Sequence, residues 1–274
     1  LRCEAAEDGT LISLKCASSD AEALLPLLLL MVGRPWLVDD QIDLERQLNL
    51  QTLQRQKEDP FQLAHDQLRV LLYGDGPYGH DALGVEGELK AIGKPELEQL
   101  ARSYGHSGAV LVLAGELPAA AERWLLSGLG GEAWPCSAPE RQAGPTGLQQ
   151  PKLACSNDDT EQLVLMLGAS TTPLGAPHAL ALRLLHCHLG VGMSSRLFVA
   201  LREEHGLAYD VGVHYPARLG DAPFVFHLST SSDRAAEATR ELLSEWQRLL
   251  DQAISAADLE LALAKFRGQE ALGR

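Results

Sequence analysis

One short pattern occurs twice in this chain, in the same order and at nearly the same separation. Leu11 to Lys15 alternates apolar and polar residues as a strand does, and Ser18-Ser19-Asp20 then caps a leucine-rich helical stretch. Phe224 to Leu228 is strand-like again, and 213 positions on from the first cap Ser231-Ser232-Asp233 precedes a helix carrying Leu242, Leu243 and Trp246. Asp43-Leu44-Glu45 opens a further helix after the first cap, and Asp258-Leu259-Glu260 does so after the second, at an offset of 215. One such match is chance; an ordered series at a nearly constant offset predicts two copies of one domain. Residues from about 151 to 213 have no first-copy counterpart after residue 1, and those past about 58 have no second-copy counterpart before Arg274. The expectation is therefore the middle of a longer duplicated protein. Residues 1–133 form the C-terminal part of a first domain, 134–150 a linker, and 151–274 the N-terminal part of a second domain.

The linker follows from composition. Trp134 to Pro151 holds Pro135, Pro139, Gly144, Pro145, Gly147 and Pro151 with little periodicity. Elsewhere helix and strand signals alternate. Gln54 to Leu72 is helical in period with a break at Pro60, and Pro95 to Tyr104 is a short helix with proline near its start. Ala109 to Leu117 and Leu163 to Gly168 are apolar strands, and His178 to Leu189 is a helix. Tyr209, Val211, Val213 and Tyr215 alternate with Asp210, Gly212 and His214, the pattern of a half-exposed strand. These signals predict an α+β class, each domain an antiparallel-rich sheet covered by helices.

Charge narrows the choice of partner. The net charge of −14 argues against nucleic acid, whose phosphates require a basic face. It suits basic peptides, although an acidic balance more often serves solubility. The longest apolar run, Ala23 to Val32, contains Pro26 and is far too short to span a membrane; it also lacks the basic flank of a signal peptide. Cys3, Cys16, Cys136, Cys155 and Cys187 are odd in number and form no paired framework, which points to the cytoplasm or another reducing compartment.

The chemistry concentrates in Gly192-Met193-Ser194-Ser195-Arg196-Leu197-Phe198 and the following Arg202-Glu203-Glu204-His205-Gly206-Leu207-Ala208-Tyr209. This reads as a helix stopped by Gly206 and a strand starting at Ala208. Arg202 and Tyr209 are seven residues apart, which can bring a guanidinium and a phenol to one helix–strand corner. Such a pair can donate hydrogen bonds to a peptide carbonyl or a developing oxyanion.

This string resembles the C-terminal domain signature of the pitrilysin/insulinase-type zinc metallopeptidases, in the branch that includes the mitochondrial processing peptidase. Leu72-Tyr73-Gly74-Asp75-Gly76-Pro77-Tyr78-Gly79 and Val110-Leu111-Val112-Leu113-Ala114-Gly115-Glu116 look like segments of the family's first domain, in the expected order. The resemblance implies a peptide or unfolded-protein substrate held by Arg202 and Tyr209 against zinc in another domain. It also implies zinc in the intact enzyme, bound through an H-x-x-E-H helix that this chain does not contain. Glu45 matches the family's upstream helix glutamate, and Thr52 stands seven residues later, where the third zinc ligand is expected. A neutral hydroxyl replaces a carboxylate poorly on Zn²⁺. No catalytic residue and no zinc are therefore expected in this piece by itself, which is expected to be inactive alone. The implied assembly is a homo- or heterodimer with a zinc-bearing chain. Two alternatives stand beside this reading: a non-catalytic scaffold of the same family, and a complete zinc endopeptidase whose motif lies upstream of residue 1.

Three other features favour plain structure. In His186-Cys187-His188 the two imidazoles point to opposite sides of a helix and cannot share a metal. Gly190-Val191-Gly192 before Ser194 matches neither a phosphate loop nor a nucleophile elbow, and a turn with helix capping by Ser194 explains it. Glu203 and Glu204, as helix neighbours, diverge toward water.

Overall fold

The computed structural model describes residues 1–104, 108–116, 118–119, 122–123, 148, 150–157 and 160–272. The linker expected over 134–150 lies almost wholly outside them. The chain divides into two compact units. One comprises the described residues of Leu1–Leu53 and Ala82–Gln142; the other comprises those of Gln54–Asp81 and Ala143–Arg274.

The first unit opens with a hairpin of β1 (Arg2–Ala6) and β2 (Gly9–Ser13), paired antiparallel from Arg2↔Ser13 to Ala6↔Gly9. Ser18–Asp20 forms a 3-10 turn that leads into α1 (Ala21–Gly33), without a side-chain cap bond. α2 (Asp39–Gln56) begins four residues before Asp43, with Asp39 and Asp40 in its first turn and Arg55 in its last, the charge order that suits a helix dipole. α3 (Pro60–Tyr73) belongs to the second unit: Asp59 caps it by accepting from the Phe61 N–H (2.9 Å), and Pro60 fills a first-turn position that needs no donor. Back in the first unit, α4 (Glu86–Ala91) is followed by α5 (Lys94–Ser103), whose Glu96 accepts from the Gly93 N–H (2.9 Å). Arg46 ties α2 to the α4–α5 junction by donating to the Ile92 carbonyl (2.8 Å).

The apolar segment 109–116 differs from expectation. It forms no strand, and Val110 and Val112 are 86% and 78% exposed. A strand needs a neighbour for its backbone groups, and among the described residues no strand pairs with this segment.

The second unit holds the larger core. β3 (Gln162–Ser170), β4 (Asp210–His214) and β5 (Pro223–Ser231) form an antiparallel sheet in the order β3-β5-β4. Gln162↔Ser231 sets one register and Asp210↔Ser229 the other. One face packs on α7 (Ala235–Asp251), which a 3-10 turn at Ser232–Arg234 introduces. Ala238 and Leu242 are buried there, and Trp246 meets Phe226 edge-on at 4.9 Å. α6 (Ala179–Gly190) adds Leu189 to that core and packs against α8 (Ala256–Leu272). Gly190 is required where α6 meets β4, since a Cβ there would lie 2.7 Å from the Val213 nitrogen.

The opposite face of β4 is covered, which corrects the half-exposed reading. Val211, Val213 and Tyr215 join the apolar core, as the alternation implies. His214, though, meets His65 of α3 edge-on at 5.2 Å, and the neighbouring His227 of β5 meets Phe61 at 5.1 Å. His214 thus faces a helix rather than solvent, while Asp210 at the start of the strand stays exposed. The fold is thus mixed helix and antiparallel sheet, and β2, a Ser-Ser-Asp turn, α1 and α2 recur in kind as β5, a Ser-Ser-Asp turn, α7 and α8.

Candidate functional site

Arg202 and Tyr209 flank a turn that the local sequence builds closely. After α6, Gly192 turns the chain and the Ser195 N–H donates to its carbonyl (2.9 Å). Ser195 is buried, and the Val199 N–H donates to its carbonyl (3.0 Å), so the cap falls on Ser195 rather than Ser194. The helix then widens into a π-helical segment, Phe198–Glu204, with the His205 N–H reaching back to the Ala200 carbonyl (3.2 Å). Gly206 ends it at φ +58°, the left-handed conformation that favours glycine. The Leu207 N–H then closes the turn on the Leu201 carbonyl (2.8 Å), and both leucines are buried. Strand β4 starts at Asp210, two residues later than Ala208, but the Tyr209 N–H already donates to the Ser229 carbonyl (2.9 Å).

The turn brings the two predicted residues together. Arg202 Nη1 donates to the Tyr209 carbonyl at 2.9 Å, and its guanidinium lies over the Phe198 ring, 5.0 Å from the centroid. Phe198 is four residues before Arg202, so the helix places ring and cation on one face. Both members of the pair are exposed, Tyr209 by 59%. Tyr209 is thus an exposed tyrosine whose main-chain carbonyl is held by a guanidinium that lies over an aromatic ring. Glu203 and Glu204 are also exposed.

Two residues of the turn's surroundings were not legible as such from the motif. Phe198 could have been found from its i, i+4 spacing to Arg202. Arg234, at the start of α7, donates to the carbonyls of Gly206 (2.7 Å) and His205 (3.3 Å). Its only sequence signal is its place directly after Ser231-Ser232-Asp233.

The metal question turns on α2. Glu45 and Thr52 are both exposed there, and the Thr52 hydroxyl donates to the Leu48 carbonyl of its own helix (2.9 Å). Among the described residues no group of three or more His, Cys, Asp or Glu is placed to hold a metal ion. A helix-bonded threonine with one glutamate two turns earlier does not fit a zinc site. In the second unit, His186 hydrogen-bonds the Val213 backbone, Cys187 donates to Gln269 Oε1 (3.4 Å), and burial lowers the pKa of both His186 and His188. Burial also pushes the Cys187 thiol up, away from thiolate chemistry.

Comparison with known proteins decides the family. The profile described as "Peptidase M16 inactive domain" matches residues 97–266, more than half of the chain.

The chain belongs to the peptidase M16 family.

An uncharacterized zinc protease of Mycobacterium leprae is 27% identical over 263 residues, covering 93% of this chain and 58% of the relative. One of Rickettsia bellii is 26% identical over 257 residues, covering 91% of this chain and 60% of the relative. The chain therefore spans somewhat more than half the length of these M16 relatives. Among solved structures, a peptidase M16 inactive domain from Pseudomonas fluorescens superposes with a TM-score of 0.83 at 23% identity, covering 93% of this chain and 62% of the other. A chain of complex III from Candida albicans reaches a TM-score of 0.80 at 12% identity, covering 98% of this chain and 67% of the other. At these identities the likeness establishes the M16 fold alone.

Proposed function

We propose that this M16 chain is the substrate-binding, zinc-free half of a processing-peptidase-like assembly, and that it binds peptide carbonyls with Arg202 and Tyr209. The observation that supports this best is the corner itself: an exposed guanidinium, floored by Phe198, bonds a main-chain carbonyl beside an exposed tyrosine. Arg202 already recognises the chemical group that a substrate would offer. An arriving peptide would replace the Tyr209 carbonyl with its own, and the Tyr209 phenol would supply a second donor to the same oxygen. Two donors draw electron density from that carbonyl and fix its orientation, which favours attack on its carbon. Hydrolysis itself belongs to zinc held by another chain. The substrate class is an extended peptide or unfolded protein.

The names of the relatives, zinc proteases of which this chain covers 58 to 60%, support a second reading. There the zinc belongs to the same polypeptide and the corner has the same role. One experiment tests the shared core of both. In the intact assembly, Arg202→Ala with Tyr209→Phe should lower kcat/KM on a quenched fluorescent peptide about a hundredfold, with thermal unfolding nearly unchanged. Wild-type turnover by the double variant would return both residues to surface structure. Zinc analysis of the full-length protein then separates the two readings.

A further inference from the structure

We infer that Arg234 is a positioning residue for the Arg202–Tyr209 corner, clamping the turn between them from a different element; this rests on the peptide-binding reading above. The carbonyls of His205 and Gly206 lie just past the end of the π-helical segment, where a helix leaves acceptors without helical donors. Arg234 supplies both bonds, with Nη1 on Gly206 at 2.7 Å and Nη2 on His205 at 3.3 Å, and Glu237 Oε2 holds the guanidinium from behind at 3.0 Å. A planar cation at a helix C-terminus is the fitting donor for two carbonyls and for the negative end of the dipole.

The same arginine is out of place for its own helix. It occupies the N-cap of α7 and makes no side-chain cap bond there. A positive charge at a helix N-terminus opposes the dipole, and arginine is a poor cap residue. The recurring Ser-Ser-Asp turn before α1 carries no such cation: its N-cap is Asp20, and the 213-residue offset sets Ala21 against Arg234. The arginine stands in the copy of the turn that faces the Arg202–Tyr209 corner, and it is spent on that corner's carbonyls. A residue that violates its local rule while satisfying a neighbouring segment marks a site under functional demand. α7 is itself fixed to β5 through Ala238 and Leu242, so Arg234 transfers the rigidity of the core to the turn.

Arg234→Met removes both bonds and keeps the stem; Arg234→Lys keeps the charge but cannot span two carbonyls in one plane. Two readouts separate the clamp from the peptide-binding reading. Amide exchange over Leu207–Tyr209 should quicken by about tenfold or more in Arg234→Met, with core amides of β5 unmoved. Affinity for fluorescein-labelled casein should fall about tenfold in Arg234→Met and recover in part in Arg234→Lys, while Arg234→Met should add little in an Arg202→Ala background. Unchanged exchange overturns the clamp. Faster exchange with casein affinity intact, where Arg202→Ala has lost it, overturns the positioning role and leaves the reading standing. An equal loss in the Arg202→Ala background assigns Arg234 to general stability and overturns the proposal too. If Arg202→Ala and Tyr209→Phe both bind casein as wild type does, the peptide-binding reading falls, and the exchange readout still judges the clamp. Should Arg234→Met fail to fold, Arg234→Lys carries both readouts alone.

Discussion

At the scale of single residues, two glycines separate a backbone demand from a packing demand. Gly206 adopts φ +58°, and among the described residues the atom nearest to a Cβ there is the flexible Arg234 Nη1 at 4.0 Å. Gly206→Ala should therefore cost about 1 kcal/mol, the price of a left-handed alanine. Gly190 has no such backbone strain, but its Cβ would press on the Val213 nitrogen and side chain at 2.7 to 3.0 Å. Gly190→Ala should cost more, about 2 to 3 kcal/mol, because backbone must move. Urea unfolding of both variants measures the order, and a larger loss at Gly206 would contradict it. The corner itself was partly legible in the sequence: Arg202, Gly206 and Tyr209 were named from spacing and the glycine stop. Phe198 stood in the motif and its i, i+4 spacing to Arg202 carried the signal for its role; Arg234 had no such signal, since nothing in a linear pattern says that the start of α7 reaches back to carbonyls some 28 positions earlier.

At the scale of elements, the least expected arrangement is the polar layer between α3 and the sheet. His65, Asp66 and Arg69 face it from α3, with Asp81 from the loop beyond, and Asp210, His214, Arg218 and His227 from the sheet side. Burial, reinforced by His65, Arg218, His227 and Arg69, pushes the His214 pKa down from 6.5 to about 4. His227 shifts down as well through burial, against the pull of Asp210. The folded state therefore holds these imidazoles neutral while the unfolded chain takes up protons first. Stability from His214 is fully present above the unfolded pKa of 6.5 and is lost as pH falls toward the folded value of about 4. The span corresponds to at most on the order of 3 kcal/mol. Urea unfolding from about pH 7 to about pH 4.5 should show this loss, and His214→Gln should flatten it. An unchanged slope in His214→Gln would assign the acid sensitivity elsewhere. Alternation in β4 revealed its two faces, but what covers the second face is a helix far away in sequence. Only the tertiary structure supplies that.

At the scale of the whole molecule, the two units differ in how much they bury. The second has fully buried Leu189, Leu197, Phe226 and Leu228, and Phe226→Ala should cost about 3 to 5 kcal/mol. The first leaves Trp36 92% exposed, together with Leu27, Leu30 and Met31 of α1. Hydrogen exchange should accordingly be faster in β1, β2 and α1 than in β5, by about a hundredfold or more. Equal protection would show that the first unit is stabilised as well as the second. The mixed fold was legible from period and turn chemistry, because those signals are local. The segment 109–116 shows the limit: its composition asks for a strand, and whether one forms depends on a partner for its backbone. The duplication inferred from the recurring pattern stays a proposal, which superposition of β2–α2 on β5–α8 would test.

The central claim is that Arg202 and Tyr209 bind a peptide carbonyl, and direct binding tests it without any metal or partner. Fluorescein-labelled casein is titrated with this chain and followed by anisotropy, using wild type, Arg202→Ala, Tyr209→Phe and the double variant. Wild type should bind saturably, each single variant should lose about tenfold or more in affinity, and the double loss should be smaller than the sum because both donors serve one oxygen. Binding by the double variant equal to that of wild type would show that Arg202 and Tyr209 do not hold the peptide.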